Sequence, residues 1–114
     1  MNKEKIAKLN DELRKQIINN QWQKTHNMIV MSKGISEYDP MEQNAIFEKV
    51  AEYNDFSEDN NPFKERHFGD FEFNFVKMYW QIDYYDLNGE YHSEDKSNPD
   101  ITKRVLTIMK ADEY

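Results

Sequence analysis

Apolar and polar residues alternate most regularly between Met78 and Tyr85. Met78, Trp80, Ile82 and Tyr84 share one parity, and Tyr79, Gln81, Asp83 and Tyr85 share the other. A period of two in aromatic and β-branched residues predicts a strand with one buried face. A second alternation precedes it, with Phe71, Phe73 and Phe75 set against Glu72, Asn74 and Val76. The run Val105-Leu106-Thr107-Ile108-Met109 follows it. Both flanking runs have the length and residue types of pairing strands, so the Trp80 strand is expected at the centre of a sheet.

The pattern changes upstream. Ile6, Leu9, Leu13 and Ile17 recur at spacings of three and four and predict one amphipathic helix over residues 3–19. Asn2 suits its N-cap, and Asn19-Asn20 its end. Asn27-Met28-Ile29-Val30-Met31-Ser32 is short and mostly apolar, which predicts a strand buried on both faces and ended by Gly34. Asp39-Pro40-Met41-Glu42 has the residues of an N-cap, a first helical proline and a capping box. Ile46, Val50 and Tyr53 continue that helix to about residue 54. Residues 55–70 and 92–100 are loop-forming, and Asn88-Gly89 predicts a sharp turn after the Trp80 strand. The order is helix, strand, helix, strand, strand, strand. It predicts an α+β fold, two helices packed on one face of a largely antiparallel four-stranded sheet, with residues 1–114 as a single domain.

Composition narrows the function classes. Hydrophobic residues make up only 38% of the chain while 14% is aromatic, so rings must supply much of the core. The absence of cysteine excludes disulfides and thiolate metal sites. No apolar run approaches the roughly 20 residues of a membrane span, and the start lacks a signal-peptide segment, so a soluble cytoplasmic protein with no membrane partner is expected. The net charge of −7 is unevenly spread. Residues 1–35 carry seven Lys/Arg against three acids, whereas residues 36–114 carry eight against nineteen. An acidic majority argues against direct binding of DNA or RNA, because phosphate binding is driven by lysine and arginine. It suits a protein that occupies another protein's nucleic-acid site.

No glycine-rich phosphate loop or metal motif is present, and no cofactor is implied. Glu65, His67, Asp70, Asp83 and Asp86 are the residues with which a polar site would be built. Asp83 and Asp86 lie three apart along a strand and point to opposite faces. Arg104 is expected beside Asp83 or Asp86 as a cross-strand ion pair, and Thr107 as a packed strand residue. Tyr79, Tyr85 and Tyr91 take the parity opposite Trp80, or the turn beyond it. With Asp83 among them they form a surface suited to protein recognition, since tyrosine gives large contact area at little entropy cost. Glu58 and Asp59 head the acidic stretch from Glu37 to Asp70, where ten carboxylates face three Lys/Arg.

Several blocks resemble a known family. Ile6-Ala7, Leu9-Asn10-Asp11, Leu13-Arg14, Gly34-Ile35, Asp55-Phe56, Asn60-Asn61-Pro62 and Phe68-Gly69 belong to the likeness. So do Trp80 with Ile82-Asp83-Tyr84-Tyr85-Asp86, then Ser93, Pro99, Thr102, Arg104-Val105-Leu106-Thr107-Ile108-Met109 and Ala111-Asp112-Glu113-Tyr114. Together they resemble the bacterial domain of unknown function 3768, and the resemblance implies a setting on plasmids and other mobile elements. It implies no activity. Where that family shows Glu-His-Asp before Phe-Gly, this chain has Glu65-Arg66-His67. The change weakens an enzymatic reading.

Two functions are expected from these residues. The first is a small acidic, non-enzymatic binding protein of a mobile element. It is an anti-CRISPR-like inhibitor that blocks the nucleic-acid site of a host defence effector through Glu58, Asp59, Glu65, Tyr79, Asp83, Tyr85 and Tyr91. The alternative is a small metal-dependent hydrolase using Glu65, His67 and Asp83.

Overall fold

A computed structural model of the protein describes residues 2–114. Its first element, α1 (Lys3–Asn19), begins where the Asn2 side chain accepts the Lys5 N–H at 3.1 Å. It ends where Asn20 turns left-handed at φ 60°, a conformation asparagine tolerates. The buried stripe differs from the expected one. Ile6, Asn10, Leu13, Arg14 and Ile17 face inward, while Leu9 is only half-buried. The helix therefore carries two polar side chains into the interior.

A 3₁₀ turn, Gln21–Lys24, leads to β1 (Met28–Met31). This strand lies at the sheet edge with Met28 and Met31 exposed, so the expectation of burial on both faces is overturned. Met28 and Met31 differ in parity, so neither face of this edge strand is closed over. A one-turn helix absent from the sequence pattern follows, α2 (Lys33–Ser36), with Ser32 as its cap. Gly34 lies inside it rather than merely ending β1, and a Cβ there would stand 2.8 Å from the Glu113 carboxylate. The third helix, α3 (Pro40–Glu52), opens with the full capping box. Asp39 Oδ1 accepts the Glu42 N–H at 2.8 Å, and Glu42 Oε1 accepts the Asp39 N–H at 3.4 Å.

The remaining strands are β2 (Phe68–Phe73), β3 (Val76–Tyr85) and β4 (Lys103–Lys110), with a closing 3₁₀ turn at Ala111–Glu113. The sheet order is β1-β4-β3-β2, which places the Trp80 strand inside the sheet. β3 is antiparallel to both neighbours, and β1 runs parallel to β4. The fold is α+β with a mostly antiparallel mixed sheet. The alternation over Phe71–Val76 is broken at its end by a hairpin turn. Asn74 and Phe75 adopt φ 50° and 67°, Phe73 pairs with Val76, and Val76 opens β3. Two successive left-handed residues make the tight turn whose twist matches paired strands. Phe75 sits at its tip, 100% exposed.

The helices cover one sheet face. Leu13 and Ile17 of α1, Ile46 and Val50 of α3, and Ile35 pack with Met78, Trp80, Ile82, Leu106 and Ile108. Trp80 is fully buried, with Tyr53 and Phe56 edge-on at 5.5 and 6.1 Å and the Arg14 guanidinium 4.9 Å over its ring. Arg14 donates from one nitrogen to the carbonyls of Val50 and Tyr53, at 2.9 and 2.8 Å, and from another to Asp11 at 2.6 Å. The carbonyls that end α3 thus gain a partner inside the core, where water could not reach them. Burial lowers the Arg14 pKa from its ordinary value, an effect opposed by the bond to Asp11.

Candidate functional site

Helices sheathe the Trp80 face, and the opposite face carries the other parity. Tyr79 pairs across β3 and β4 with Met109, Gln81 with Thr107, and Asp83 with Val105. Asp70 and Phe68 of β2 pair with Tyr79 and Gln81. The predicted tyrosines are thereby placed, but they are not bare. Tyr79 is half-buried between Phe68, at a ring separation of 5.3 Å, and the C-terminal Tyr114, edge-on at 5.2 Å. Tyr85 is half-buried and stacks on His92 at 6.1 Å with 7° between the planes. Tyr91 alone among the three stands open, 72% exposed, beyond the Asp86–Tyr91 turn. In that turn Gly89 has φ 74° and its N–H reaches the Asp86 carbonyl at 2.9 Å, as Asn88-Gly89 led one to expect.

Beside the Phe68–Tyr79–Tyr114 cluster lies a cleft of about 450 Å³. The loop between α3 and β2 gives it Asp59, Phe63 and His67, the start of β2 gives Phe68, β3 gives Asp83, and the segment after β4 gives Tyr114. Its walls are aromatic and its charged groups are carboxylates. Asp83 Oδ2 accepts a side-chain hydrogen bond from Gln81 Nε2 at 3.3 Å, and among the described residues neither Asp59 nor Asp83 is in an ion pair. Burial lowers the His67 pKa below its ordinary 6.5, with Glu65 and Asp83 opposing and Lys96 assisting. The ring is therefore neutral at pH 7, and its Nδ1 is buried without a hydrogen-bond partner. Of the expected recognition set the cleft gathers Asp59 and Asp83, while Tyr79, Tyr85 and Tyr91 do not line it. Glu58 is exposed on the loop next to it.

Glu65 does not belong to this surface. It is 4% exposed and lies in a polar node where α1, the loop before β2, β3 and the loop before β4 meet. Its Oε1 accepts the Tyr84 hydroxyl at 3.1 Å and its Oε2 lies 2.7 Å from Lys96 Nζ. Asn10 Nδ2 donates to the Glu65 carbonyl at 3.0 Å and to the Tyr84 oxygen at 2.7 Å. Burial raises the Tyr84 pKa far above its usual value, the Asn10 bond opposing it and Glu65 adding to it. Tyr84 is thus a neutral donor. Arg104, 2% exposed, donates from Nε to Asn10 Oδ1 at 2.9 Å and from a terminal nitrogen to the Lys96 carbonyl. The expected cross-strand pair of Arg104 with Asp83 or Asp86 does not form. Arg104 registers with Tyr84 on the helix-covered face, while Asp83 lies on the other face and Asp86 in the turn. Burial lowers the Arg104 pKa, with Tyr84 and Glu65 opposing.

The carboxylate–histidine set behind the hydrolase alternative is divided in the same way. Glu65 spends its oxygens in the node, His67 and Asp83 face the cleft, and Asp70 pairs with Lys77 at 3.7 Å. Among the described residues no three His, Asp or Glu side chains stand close enough to share a metal ion. No helix of the described residues is long and apolar enough to cross a membrane.

Reading the sequence missed both the node and the part played by Tyr114. The node did leave a signal. Asn10 and Arg14 stand four apart within the stripe of Ile6, Leu13 and Ile17, where a polar residue must find a buried partner. Tyr114 left none in the pattern of apolar positions and entered only through the block Ala111-Asp112-Glu113-Tyr114 of the family likeness.

Fold and site define a class: an α+β protein whose sheet is covered by helices on one side and presents an aromatic, carboxylate-bearing cleft on the other. The chain belongs to the family described as protein of unknown function (DUF3768), whose sequence model matches residues 31–113. The α1 blocks of the resemblance lie outside the matched segment. No curated protein matches the chain, and no solved structure does.

Proposed function

We propose that this protein is a small acidic binding protein, without enzymatic activity, that a mobile element uses in the cytoplasm of its host. It seats its carboxylate-bearing face in the Lys/Arg-lined nucleic-acid site of a defence effector, as an anti-CRISPR-like inhibitor does. One observation carries this reading. Of twenty-two acidic residues, only Asp11, Glu65 and Asp70 are in ion pairs among the described residues. The field of the others is left for a cationic partner. Glu58 and Asp59 stand exposed on the loop beside the cleft, next to the exposed rings of Phe63 and Tyr114, which offer contact area. The mobile-element setting is what the family resemblance implies.

The test is capture from a bacterial lysate on immobilised protein, followed by elution with a duplex DNA oligonucleotide. A nucleic-acid-binding protein released by the DNA is the expected result. Retention of proteins that DNA cannot displace, or of none, would count against the reading.

A further inference from the structure

We propose that the cleft between Phe63, Phe68, Tyr114, Asp59 and Asp83 is a guanidinium site that receives an arginine side chain of a protein partner. The proposal rests on the binding reading above and names the group that the surface takes.

Three features of the cleft point to a cation of this kind. The first is unsatisfied charge. Asp59 and Asp83 line the cleft without an ion pair, and no lysine or arginine of the chain lines it among the described residues. The second is the aromatic wall. Phe63 and Tyr114 are largely exposed, and Phe68 and Tyr114 lie 6.3 Å apart with 56° between their planes. Such surfaces suit a planar cation that is weakly hydrated and stacks on rings while forking onto a carboxylate. A lysine ammonium is more strongly hydrated and has no plane to stack, so the same walls favour arginine over lysine. The third is the neighbouring histidine. His67 shares the cleft as a neutral ring at pH 7, so it adds no positive charge against the incoming group.

Tyr114 has a defined place in this arrangement. Glu113 accepts the Ser32 hydroxyl at 2.6 Å, the Gly34 N–H at 2.9 Å and the Lys110 N–H at 2.8 Å. These bonds fix the end of the chain, and Tyr114 is held across Tyr79 as one wall.

The test is a titration of isotope-labelled full-length protein with N-acetyl-arginine amide, followed by amide shifts in two-dimensional NMR. N-acetyl-lysine amide and N-acetyl-leucine amide serve as comparisons. Saturable shifts at Phe63, His67, Phe68, Asp83 and Tyr114 are expected with the arginine compound, weaker ones with lysine and none with leucine. Asp83→Asn should weaken arginine binding about tenfold, the scale of one charge-assisted contact. Tyr114→Ala should weaken it roughly twofold to fivefold, the scale of an exposed cation–π contact. Both sites are at the surface, and the unaltered spectrum of the rest of the chain serves as the folding control. Absent shifts, equal shifts with leucine, or undiminished binding in Asp83→Asn would overturn the proposal. An arginine-rich peptide that shifts only amides of the outer face of α3, at Glu48 and Glu52, would overturn the cleft while leaving the acidic-binding reading intact.

Discussion

Gly69 lies directly against the indole of Trp80: a Cβ at position 69 would stand 2.5 Å from Trp80 Nε1 and 2.6 Å from Tyr53 Cε1. The two residues are register partners across β2 and β3. A missing side chain on one strand is what lets the largest side chain of the next lie flat beneath Tyr53. Gly69→Ala should cost about 1–3 kcal/mol by overpacking, and Trp80→Ala about 3–5 kcal/mol by leaving a cavity. Both are read by chemical denaturation. A Gly69→Ala protein as stable as the parent would show that Trp80 can shift without loss.

The buried node gives a second expectation. Glu65→Gln keeps the shape but removes the charge that faces Lys96, and its single amide oxygen can serve either the Tyr84 hydroxyl or Lys96 while its NH2 sets a donor against the other. A loss of about 1–3 kcal/mol is expected, the cost of leaving buried polar groups badly matched. The Asn10 side-chain amide resonances should move in the same variant, because Asn10 bridges Glu65 and Arg104. Unmoved Asn10 resonances would show that the bridge does not couple the two.

His67 gives the fold a dependence on pH. Burial holds its folded-state pKa below 6.5, so the unfolded chain binds the proton more readily. The contribution is therefore favourable above pH 6.5 and is lost as pH falls from 6.5 towards the folded value. Among the groups that face it, Glu65 and Asp83 oppose the shift and Lys96 supports it. Denaturation between pH 7.5 and 5 should show a smaller slope for His67→Gln than for the parent. A ring titration at or above 6.5 in the folded protein would reverse the sign.

Phe75 occupies a left-handed position with its ring wholly in solvent. Glycine adopts that conformation without the clash of a Cβ. Phe75→Gly is expected to stabilise the hairpin by about 1 kcal/mol, raising the melting temperature. A lower melting temperature would mean that the ring supports the fold through contacts with its surroundings.

Charge reversal at Glu58 and Asp59 tests the surface by association kinetics. Replacing both with lysine should slow association with a captured partner and flatten its dependence on salt, while stability changes little at exposed loop positions. An unchanged on-rate at both low and high ionic strength would show that this loop does not steer the encounter. Tyr91 and the cleft aromatics would then be the surface to vary.

Elements whose signals are local are legible without the structure. The capping box at Asp39 and Glu42, the parity of β3 and the turn at Asn88-Gly89 need only nearby residues, and each stands as its residues predict. Parity also fixed which face of the Trp80 strand is buried, since a one-residue slip would expose the tryptophan. Tertiary structure decided what depends on distant chain segments. β1 reads as a buried strand because its residues are apolar, yet its place at the edge comes from a parallel pairing with β4 that no turn specifies. Glu65 reads as a surface acid, yet Asn10, Tyr84, Lys96 and Arg104 arrive from four other segments to enclose it. The cleft follows the same rule: Asp59, His67, Asp83 and Tyr114 share no period or spacing, and only the pairing of β2 with β3 and the anchoring of Glu113 bring them to one place.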